Sequence, residues 1–355
     1  MSKFFVGFAL ALLAQLAPVA ALAQAQSFSG AGSSAAAPIY KSWAREYQKS
    51  TGVALMYDPV GSSAGVKKMA IRESDFGASD VAPPETELAK MGLTAFPIAI
   101  TGIAPVVNVR KVGDGQLRLT GDVLARIFLG QIVQWNAPEI ADLNPGIALP
   151  DIPIKVVVRS DGSGTTFNFS DYLAKVNPQW KNQFGVKSSF TWPEGFVGAK
   201  GSDGVVKAVK ETAGAIGYVD FGYVKDNRLN AVQLKNSNGE FLSPSSASFR
   251  AALLASDWSV KGQFASTLTA VDGKNCWPIT MGTFALVPTV TDKPEATLKA
   301  LKFFVWAFTN GDALVRESNF VPLPDRVQAL AFKAISGVKD KNGLAIGASL
   351  MGRQI

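Results

Sequence analysis

Three short segments rich in serine and glycine each run directly into a stretch whose apolar spacing predicts an α-helix. The backbone N–H groups at a helix N-terminus lack intrahelical partners and carry a partial positive charge. Glycine lets an anion approach that backbone closely, and serine or threonine hydroxyls add further donors. Three such segments together predict a site that holds a tetrahedral oxyanion. They are 30–34 (Gly-Ala-Gly-Ser-Ser), 61–65 (Gly-Ser-Ser-Ala-Gly) and 161–165 (Asp-Gly-Ser-Gly-Thr).

Two charged residues lie where they could complete such a site. Arg159 ends a β-branched run just before the third segment, and its guanidinium is a planar fork of donors suited to an oxyanion. Asp80 ends a short apolar run, and an ionised carboxylate can only accept hydrogen bonds. Each residue also has a purely structural interpretation. Arg159 could pair with Asp161 at the surface, and Asp80 could cap a helix or a turn.

The second segment also matches the G-x-S-x-G pattern of a serine nucleophile, between a predicted strand and a predicted helix. A secreted phosphatase or serine hydrolase is therefore the rival hypothesis. The chain contains no histidine, so a Ser-His-Asp triad cannot form. No carboxylate cluster suggests a two-metal centre, and a single cysteine without histidine argues against a transition-metal site. We therefore expect a binding protein rather than an enzyme, with no cofactor and no metal.

Residues 1–25 have the pattern of a cleaved export signal. A positive charge is followed by an apolar stretch that ends in small residues, which fits cleavage near Ala23 or Ala25. The alternative is a membrane anchor, which the interruptions at Gln15 and Pro18 disfavour. The mature protein is therefore expected to be exported.

Composition limits the class of protein further. The chain has 355 residues, of which 47% are hydrophobic and 18% charged, as expected for an ordered globular protein large enough for two domains. The formal net charge is +7, but the basic residues are scattered and no run of five occurs. This pattern favours mild attraction for anions over nucleic-acid binding. Cys276 is the only cysteine, so no disulfide can form within the chain.

Predicted strands and helices alternate along the chain, which indicates α/β layers with largely parallel sheets. In open α/β sheets, ligands bind beyond the carboxyl ends of the strands. The three segments are therefore expected to face one crevice. Strands are predicted at 53–57, 76–79, 96–100, 103–109, 154–159, 215–219 and 284–290, and the clearest helices at 39–48, 296–308 and 327–335.

Further short motifs accompany the three segments along most of the chain. In order, the motifs occupy 30–32, 37–40, 61–67, 75–80, 128–132, 135–136, 159–165, 173–177, 214–219 and 277–280. Taken together they resemble the periplasmic phosphate-binding proteins of phosphate ABC transporters, a family of substrate-binding proteins. The resemblance runs from about residue 30 to about residue 340.

This resemblance implies an α/β protein with two lobes that close over inorganic phosphate. Each lobe is expected to be a mainly parallel sheet flanked by helices, with the ligand in the cleft between them. The family pattern places lobe one at 26–101 plus 277–355 and lobe two at 102–276. The protein is expected to be a monomer in the periplasm, and its scattered basic residues predict no nucleic-acid partner. Its expected partners are the membrane permease subunits of an ABC transporter.

The resemblance also carries the phosphate contacts over to this chain, position by position. Asp161 matches the salt-bridge partner of the binding arginine. Ala35 departs from the family, which more often has phenylalanine there. Its backbone N–H survives that change, but an aromatic wall is lost. The implied phosphate contacts are Ser34, Ala35, Ser62, Asp80, Arg159, Ser163, Gly164 and Thr165.

Asp80 suggests how such a site would choose its ligand. A carboxylate beside an anion makes sense only if the ligand carries a proton to donate. Hydrogen phosphate has such a proton at neutral pH, whereas sulfate does not. Sulfate and molybdate are therefore the weaker alternatives, while arsenate, which is protonated as phosphate is, stays open.

Overall fold

The computed structural model describes residues 27–261, 264 and 266–353, so the predicted export signal at 1–25 lies outside the described residues. Within these ranges no helix is long and apolar enough to cross a membrane. The strands are β1 (Ser27–Gly32), β2 (Ala54–Asp58), β3 (Phe76–Ser79), β4 (Leu93–Asn108), β5 (Arg118–Leu119), β6 (Lys155–Arg159), β7 (Val197–Ala199), β8 (Ala215–Asp220), β9 (Asn230–Ala231), β10 (Gln233–Lys235), β11 (Phe241–Leu242), β12 (Thr280–Pro288), β13 (Val290–Thr291) and β14 (Lys339–Asp340). The α-helices are α1 (Ala37–Thr51), α2 (Ser62–Ala70), α3 (Glu85–Met91), α4 (Gly121–Phe128), α5 (Pro138–Ala141), α6 (Gly164–Val176), α7 (Pro178–Gln183), α8 (Gly201–Glu211), α9 (Phe221–Asn227), α10 (Ser246–Ala255), α11 (Asp257–Lys261), α12 (Pro294–Asn310), α13 (Asp312–Glu317) and α14 (Asp325–Ser336), followed by a 3₁₀ turn at Ala348–Arg353.

The main sheet has the strand order β2-β1-β3-β12-β4-β8-β6-β7, and β9 pairs with β4 beside this path. The strands β2, β1 and β3 are parallel at one end, and β8, β6 and β7 are parallel at the other. The centre is antiparallel, because β12 runs against both β3 and β4, and β4 runs against β8. The alternating sequence pattern predicts the parallel ends but does not indicate the antiparallel centre.

Strand β4 joins the two ends of the sheet. Its residues 93–102 pair with β12, and its residues 103–108 pair with β8. The sequence predicts two short strands here, whereas the structure has one continuous strand that is buried along nearly its whole length. A strand covered on both faces has no polar alternation to mark its course. The change of pairing partner lies beside the lobe boundary expected after residue 101, and the division into lobes stays a prediction.

Helices α10 and α11, near the end of predicted lobe two, pack against elements of predicted lobe one. The ring of Trp258 in α11 lies 5.2 Å from the ring of Phe284 in β12, measured between centroids. It also fills the space above Gly282, where a Cβ would lie only 2.2 Å from the indole. Arg326 of α14 donates to the Ser259 carbonyl at 3.3 Å. This segment therefore links the two predicted lobes.

Helices α1 and α12 pack together against one end of the sheet. Ile39, Tyr40, Trp43 and Tyr47 recur at helical spacing, as the sequence predicts, and all are buried. Phe303 of α12 contacts the rings of Tyr40, Trp43 and Tyr47. This aromatic core supports β1 and β3, whose carboxyl ends lie side by side.

Glycine lets α2 approach the end of β1. A Cβ on Gly65 would lie 2.3 Å from the Cα of Gly32 and 2.7 Å from the carbonyl oxygen of Ala31. Gly61 has a φ of 95°, and its N–H donates to the Gly32 carbonyl at 2.8 Å. Larger side chains would push the helix away. The N-terminus of α2, which begins at Ser62, is therefore held beside β1.

Candidate anion-binding site

The serine and glycine segments meet at one place in the structure. The first spans the end of β1 and the turn before α1, the second begins α2 just after β2, and the third joins β6 to the first turn of α6. Gly164, the first residue of α6, lies against the other side of the cleft. A Cβ there would be 2.6 Å from Ser62 Oγ and 2.8 Å from Asp80 Cβ. The structure therefore brings Ser62, Asp80 and Gly164 together, as the strand-end argument predicts.

Arg159 and Asp161 form an ion pair at the end of β6. The Nε of Arg159 donates to Oδ1 of Asp161 at 2.7 Å, and Nη2 donates to Oδ2 at 2.5 Å. The arginine side chain is 2% exposed, so this is not a surface pair. Its Nη1 has no hydrogen-bond acceptor within the described part of the chain. A guanidinium held in this way keeps N–H donors available for an anion.

Asp161 also ties the N-terminus of α8 to this site. Its Oδ1 accepts the N–H of Gly201 at 3.0 Å. Burial by itself raises the pKa of Asp161, but the hydrogen bonds and charge of Arg159, together with the Gly201 N–H, hold it below its ordinary value. The carboxylate therefore stays ionised and fixes the orientation of the guanidinium.

The first turn of α6 presents donors without partners. Ser163 caps the helix, and its Oγ accepts the N–H of Thr166 at 3.1 Å. The N–H groups of Gly164 and Thr165 have no intrahelical acceptor because they belong to the first turn. The Thr165 hydroxyl is buried and has no hydrogen-bond partner among the residues described. A bound anion could accept from the two N–H groups and from the Thr165 hydroxyl. Without such a partner, these buried donors lower the stability of the folded state.

Ser34 and Ala35 lie between the end of β1 and the start of α8. The Oγ of Ser34 accepts the N–H of Ser202 at 3.1 Å and lies 3.0 Å from the Ser202 hydroxyl. The Ser34 carbonyl accepts the hydroxyl of Tyr223 at 2.9 Å. The backbone N–H of Ala35 has no acceptor in the described ranges. This N–H is thus an open donor, while the Ser34 oxygen already accepts from Ser202.

Asp80 is buried at the end of β3 and is surrounded by hydroxyl groups. The Oγ of Ser33 lies 2.6 Å from Oδ1 and 2.7 Å from Oδ2, and the Oγ of Ser62 lies 3.4 Å from Oδ2. Burial raises the pKa of Asp80, while hydrogen bonds from Ser33 and Ser62 and the charge of Arg159 act in the opposite direction. In its ionised form this carboxylate accepts hydrogen bonds only.

Several residues that make hydrogen bonds in the site were not predicted from the sequence. Ser33 stands within the first segment, but the family correspondence assigns the hydroxyl donor to Ser34. Asn168 lies one turn into α6, and its Nδ2 donates to the Asp80 carbonyl at 2.8 Å. Ser202 follows Gly201 at the start of α8, so the same glycine–serine signal could have found it. Tyr223 has no comparable local signal, because its role depends only on tertiary contact.

The central serine of the G-x-S-x-G pattern, Ser63, does not face a catalytic base. Its N–H donates to the Gly162 carbonyl at 3.1 Å, and its hydroxyl donates to the Ser188 hydroxyl at 3.2 Å. The chain has no histidine to serve as a base. In the part of the chain that the structure describes, no group of three or more histidine, cysteine, aspartate or glutamate residues could hold a metal ion.

Hydrogen bonds join the two predicted lobes around the site. They include Ser63 N–H to the Gly162 carbonyl, Tyr223 hydroxyl to the Ser34 carbonyl and the Asn168 amide to Asp80. The two sides of the cleft therefore touch in this structure. Between them the site gathers N–H and O–H donors, one guanidinium and one carboxylate. Such a set can hold a small tetrahedral oxyanion that carries a proton.

Comparison with known families defines the class of protein. A family model described as a PBP superfamily domain matches residues 18–263. This match covers more than half of the chain, so the chain belongs to the PBP superfamily.

Individual relatives define the family within that class. Phosphate-binding protein PstS of Xylella fastidiosa is 43% identical over 307 residues, which cover 86% of this chain and 84% of that protein. Phosphate-binding protein PstS of Pasteurella multocida is 43% identical over 321 residues, covering 90% and 93%. The chain thus belongs to the PstS family of phosphate-binding proteins, which confirms the resemblance seen in its motifs.

A solved structure supports the fold independently. The phosphate binding protein of Stenotrophomonas maltophilia matches this chain with a TM-score of 0.70 at 19% identity. The match covers 92% of this chain and 98% of that chain. At this identity the likeness concerns the fold alone, and it confirms the predicted two-lobed α/β class.

Proposed function

We propose that this protein binds inorganic phosphate between its lobes and delivers it to the membrane permease of an ABC transporter. One observation carries the choice of ligand. The buried carboxylate of Asp80 lies among hydrogen-bond donors beside Arg159. The site therefore combines several donors that can bind an anion with one group that can only accept a hydrogen bond. Membership of the PstS family supports the same ligand. A tetrahedral oxyanion that keeps a proton is the ligand that satisfies both halves of the site.

Each group of site residues has a distinct role in this proposal. Asp80 accepts the ligand's proton, and Asp161 keeps the guanidinium in place. The Oγ of Ser34 accepts the Ser202 N–H, and the Ser34 hydroxyl donates to the ligand when the Ser202 hydroxyl is the donor in the contact between the two serines. The remaining contacts are hydrogen-bond donors from both sides of the cleft. The phosphate donors are Ser34, Ala35, Ser62, Arg159, Ser163, Gly164 and Thr165.

The proposed activity is capture without chemical conversion. Ser63, at the centre of the nucleophile-like pattern, contacts Ser188 and Gly162, and the chain offers no histidine base. We further propose that the mature protein acts as a monomer in the periplasm, after cleavage near Ala23 or Ala25. Closure of lobes 26–101 plus 277–355 and 102–276 over phosphate would then present both lobes to the permease.

The proposal is tested by titrating the protein, after bound anion has been removed, with phosphate, arsenate, sulfate and molybdate in a calorimeter. We expect phosphate to bind and sulfate and molybdate to bind far more weakly. The arsenate titration shows whether the site also accepts arsenate, which the sequence leaves open. Turnover of chromogenic phosphate and carboxylate esters should stay at background. Sustained turnover, or tighter binding of sulfate than of phosphate, would contradict the proposal.

Asp80→Asn tests the acceptor role directly. The amide removes the negative charge and offers a donor, so sulfate loses its main repulsive contact while phosphate keeps most of its partners. Relieving one unfavourable buried contact is worth about 1–3 kcal/mol, so the sulfate-to-phosphate ratio of dissociation constants should fall about 5- to 150-fold. Asp58→Asn is the matched control, because it makes the same charge change at an exposed position at the end of β2. If Asp80→Asn leaves the ratio at the control value, discrimination lies elsewhere.

A further inference from the structure

Ser33 makes the closest side-chain contacts of Asp80, yet no motif gives it a role. Its Oγ lies 2.6 Å from Oδ1 and 2.7 Å from Oδ2, between the two carboxylate oxygens. The Ser33 side chain is fully buried, so solvent does not compete for these contacts. A hydroxyl has a single proton, which Ser33 can therefore share between the two oxygens.

The other hydrogen bonds of Ser33 determine the direction in which it donates. Its Oγ accepts the N–H of Ala36 at 3.1 Å, and its own N–H donates to the Ala78 carbonyl at 2.9 Å. Ala36 immediately precedes α1, whose N-terminus carries a partial positive charge. A hydroxyl that accepts from such an N–H is a stronger donor in turn. Ser33 thus connects the positive end of α1 to the carboxylate of Asp80.

We propose that Ser33 is a specificity-determining positioning residue. It holds Asp80 in the ionised form that only accepts, and so sets the pH range over which the protein rejects tetrahedral oxyanions that lack a proton. This inference rests on the proposed phosphate site, because Asp80 must face the ligand for its ionisation to matter. The hydroxyl acts through Asp80 and needs no contact with the ligand itself.

The other groups around Asp80 make this hydroxyl important. Burial opposes ionisation of Asp80. The buried carboxyl of Asp220, at the end of β8, is a further acidic group near Asp80, but burial raises its own pKa to about 8, so it stays largely protonated over most of the acidic and neutral range. The guanidinium of Arg159 on β6 is the opposing cation. The phenols of Tyr40 on α1 and Tyr57 on β2 also face Asp80, but burial keeps the pKa of each well above its ordinary value. Both phenols therefore stay neutral and supply no charge.

Ser33→Ala tests the proposal through a pH profile. Dissociation constants for phosphate and sulfate are measured in competition between about pH 4.5 and about pH 8.5. In the wild type, the sulfate-to-phosphate ratio falls on acidification as Asp80 becomes protonated. In the variant the fall should begin about one to two pH units higher, because the carboxylate has lost a charge-assisted hydrogen bond. The ligands' own ionisation is common to both proteins and cancels in the comparison.

Ser74→Ala is the matched control for removing a buried hydroxyl. The Ser74 Oγ is buried without a hydrogen-bond partner among the described residues, and it precedes β3 at the end remote from Asp80. Its pH profile should coincide with that of the wild type. Ser33→Cys keeps a side chain of similar shape with a weaker donor, so its profile should shift in the same direction as that of Ser33→Ala.

Two failures can be told apart. If the Ser33 variants lose stability but follow the wild-type pH profile, Ser33 only caps the start of α1 and the inference is wrong. If Ser33→Ala does not fold, Ser33→Cys is measured instead, and an unshifted pH profile for that variant also shows that the inference is wrong. If the wild type shows no preference for phosphate over sulfate at any pH, the proposed phosphate site itself fails.

Discussion

Gly164→Ala should weaken phosphate binding while leaving the folding of the phosphate-free protein nearly unchanged. Gly164 begins α6, and in this structure a Cβ at this position would lie 2.6 Å from Ser62 Oγ, 2.8 Å from Asp80 Cβ and 3.0 Å from Asp80 N. The backbone N and the Cβ cannot rotate away as the end of a flexible side chain can. The added methyl group therefore obstructs the contact between the two predicted lobes.

The size of the effect follows from that overlap. Forcing one methyl group into a packed contact costs about 1–3 kcal/mol. This cost falls on the closed state only, because the methyl lies in the open cleft when the lobes are apart. Phosphate affinity should therefore drop about 5- to 150-fold, while the thermal stability of the phosphate-free protein stays close to the wild-type value.

Calorimetric titration and small-angle scattering would measure the two consequences. The variant should bind phosphate more weakly and show less compaction than the wild type at the same phosphate concentration. Gly204→Ala is the control, because a Cβ there makes only ordinary contacts, at 3.5 Å and beyond, within predicted lobe two. A Gly164→Ala protein that folds normally and binds phosphate as tightly as Gly204→Ala would refute the inference that this contact belongs to the bound state.

Two further predictions concern buried charges. Arg159→Ala should weaken phosphate binding about 30- to 4000-fold, because truncating one partner of a buried charge pair costs about 2–5 kcal/mol. An unchanged dissociation constant in calorimetry would show that Arg159 does not bind the ligand. Burial raises the pKa of Asp220 to about 8, so at intermediate pH the folded protein keeps a proton that the unfolded chain has released. The free energy of unfolding should therefore fall as pH rises from about 4 to about 8. In Asp220→Asn the free energy of unfolding should fall less steeply over this range, because the titrating carboxyl is gone. Urea denaturation across that range measures both proteins, and parallel curves would contradict the assignment.

The helices that cover the sheet could be predicted because their signals are local. The buried face of α1 is visible as Ile39, Tyr40, Trp43 and Tyr47 at helical spacing, and the structure extends the predicted helix by a few residues at each end. The long helix α12 shows the same agreement. A helix makes its own backbone hydrogen bonds, so the spacing of apolar residues is enough to find it.

The course of β4 could not be predicted in the same way. Its two halves pair with β12 and β8, which lie more than a hundred residues further along the chain. Strand pairing is decided by which distant segments share the sheet, and a strand buried on both faces leaves no alternating pattern to follow. The sequence therefore suggests two strands where the structure has one.

The sequence by itself determined the kinds of groups available to this protein. Donor-rich helix starts, one arginine before the third segment, one aspartate at a strand end and no histidine together indicate oxyanion binding. Which of those groups meet was decided only by the tertiary structure. Ser33 contacts Asp80 across 47 positions, and Ser34 contacts Ser202 across 168. Capping and helix-start signals are read from neighbouring residues, whereas the direction of a hydroxyl depends on the rotamer that packing between distant elements allows.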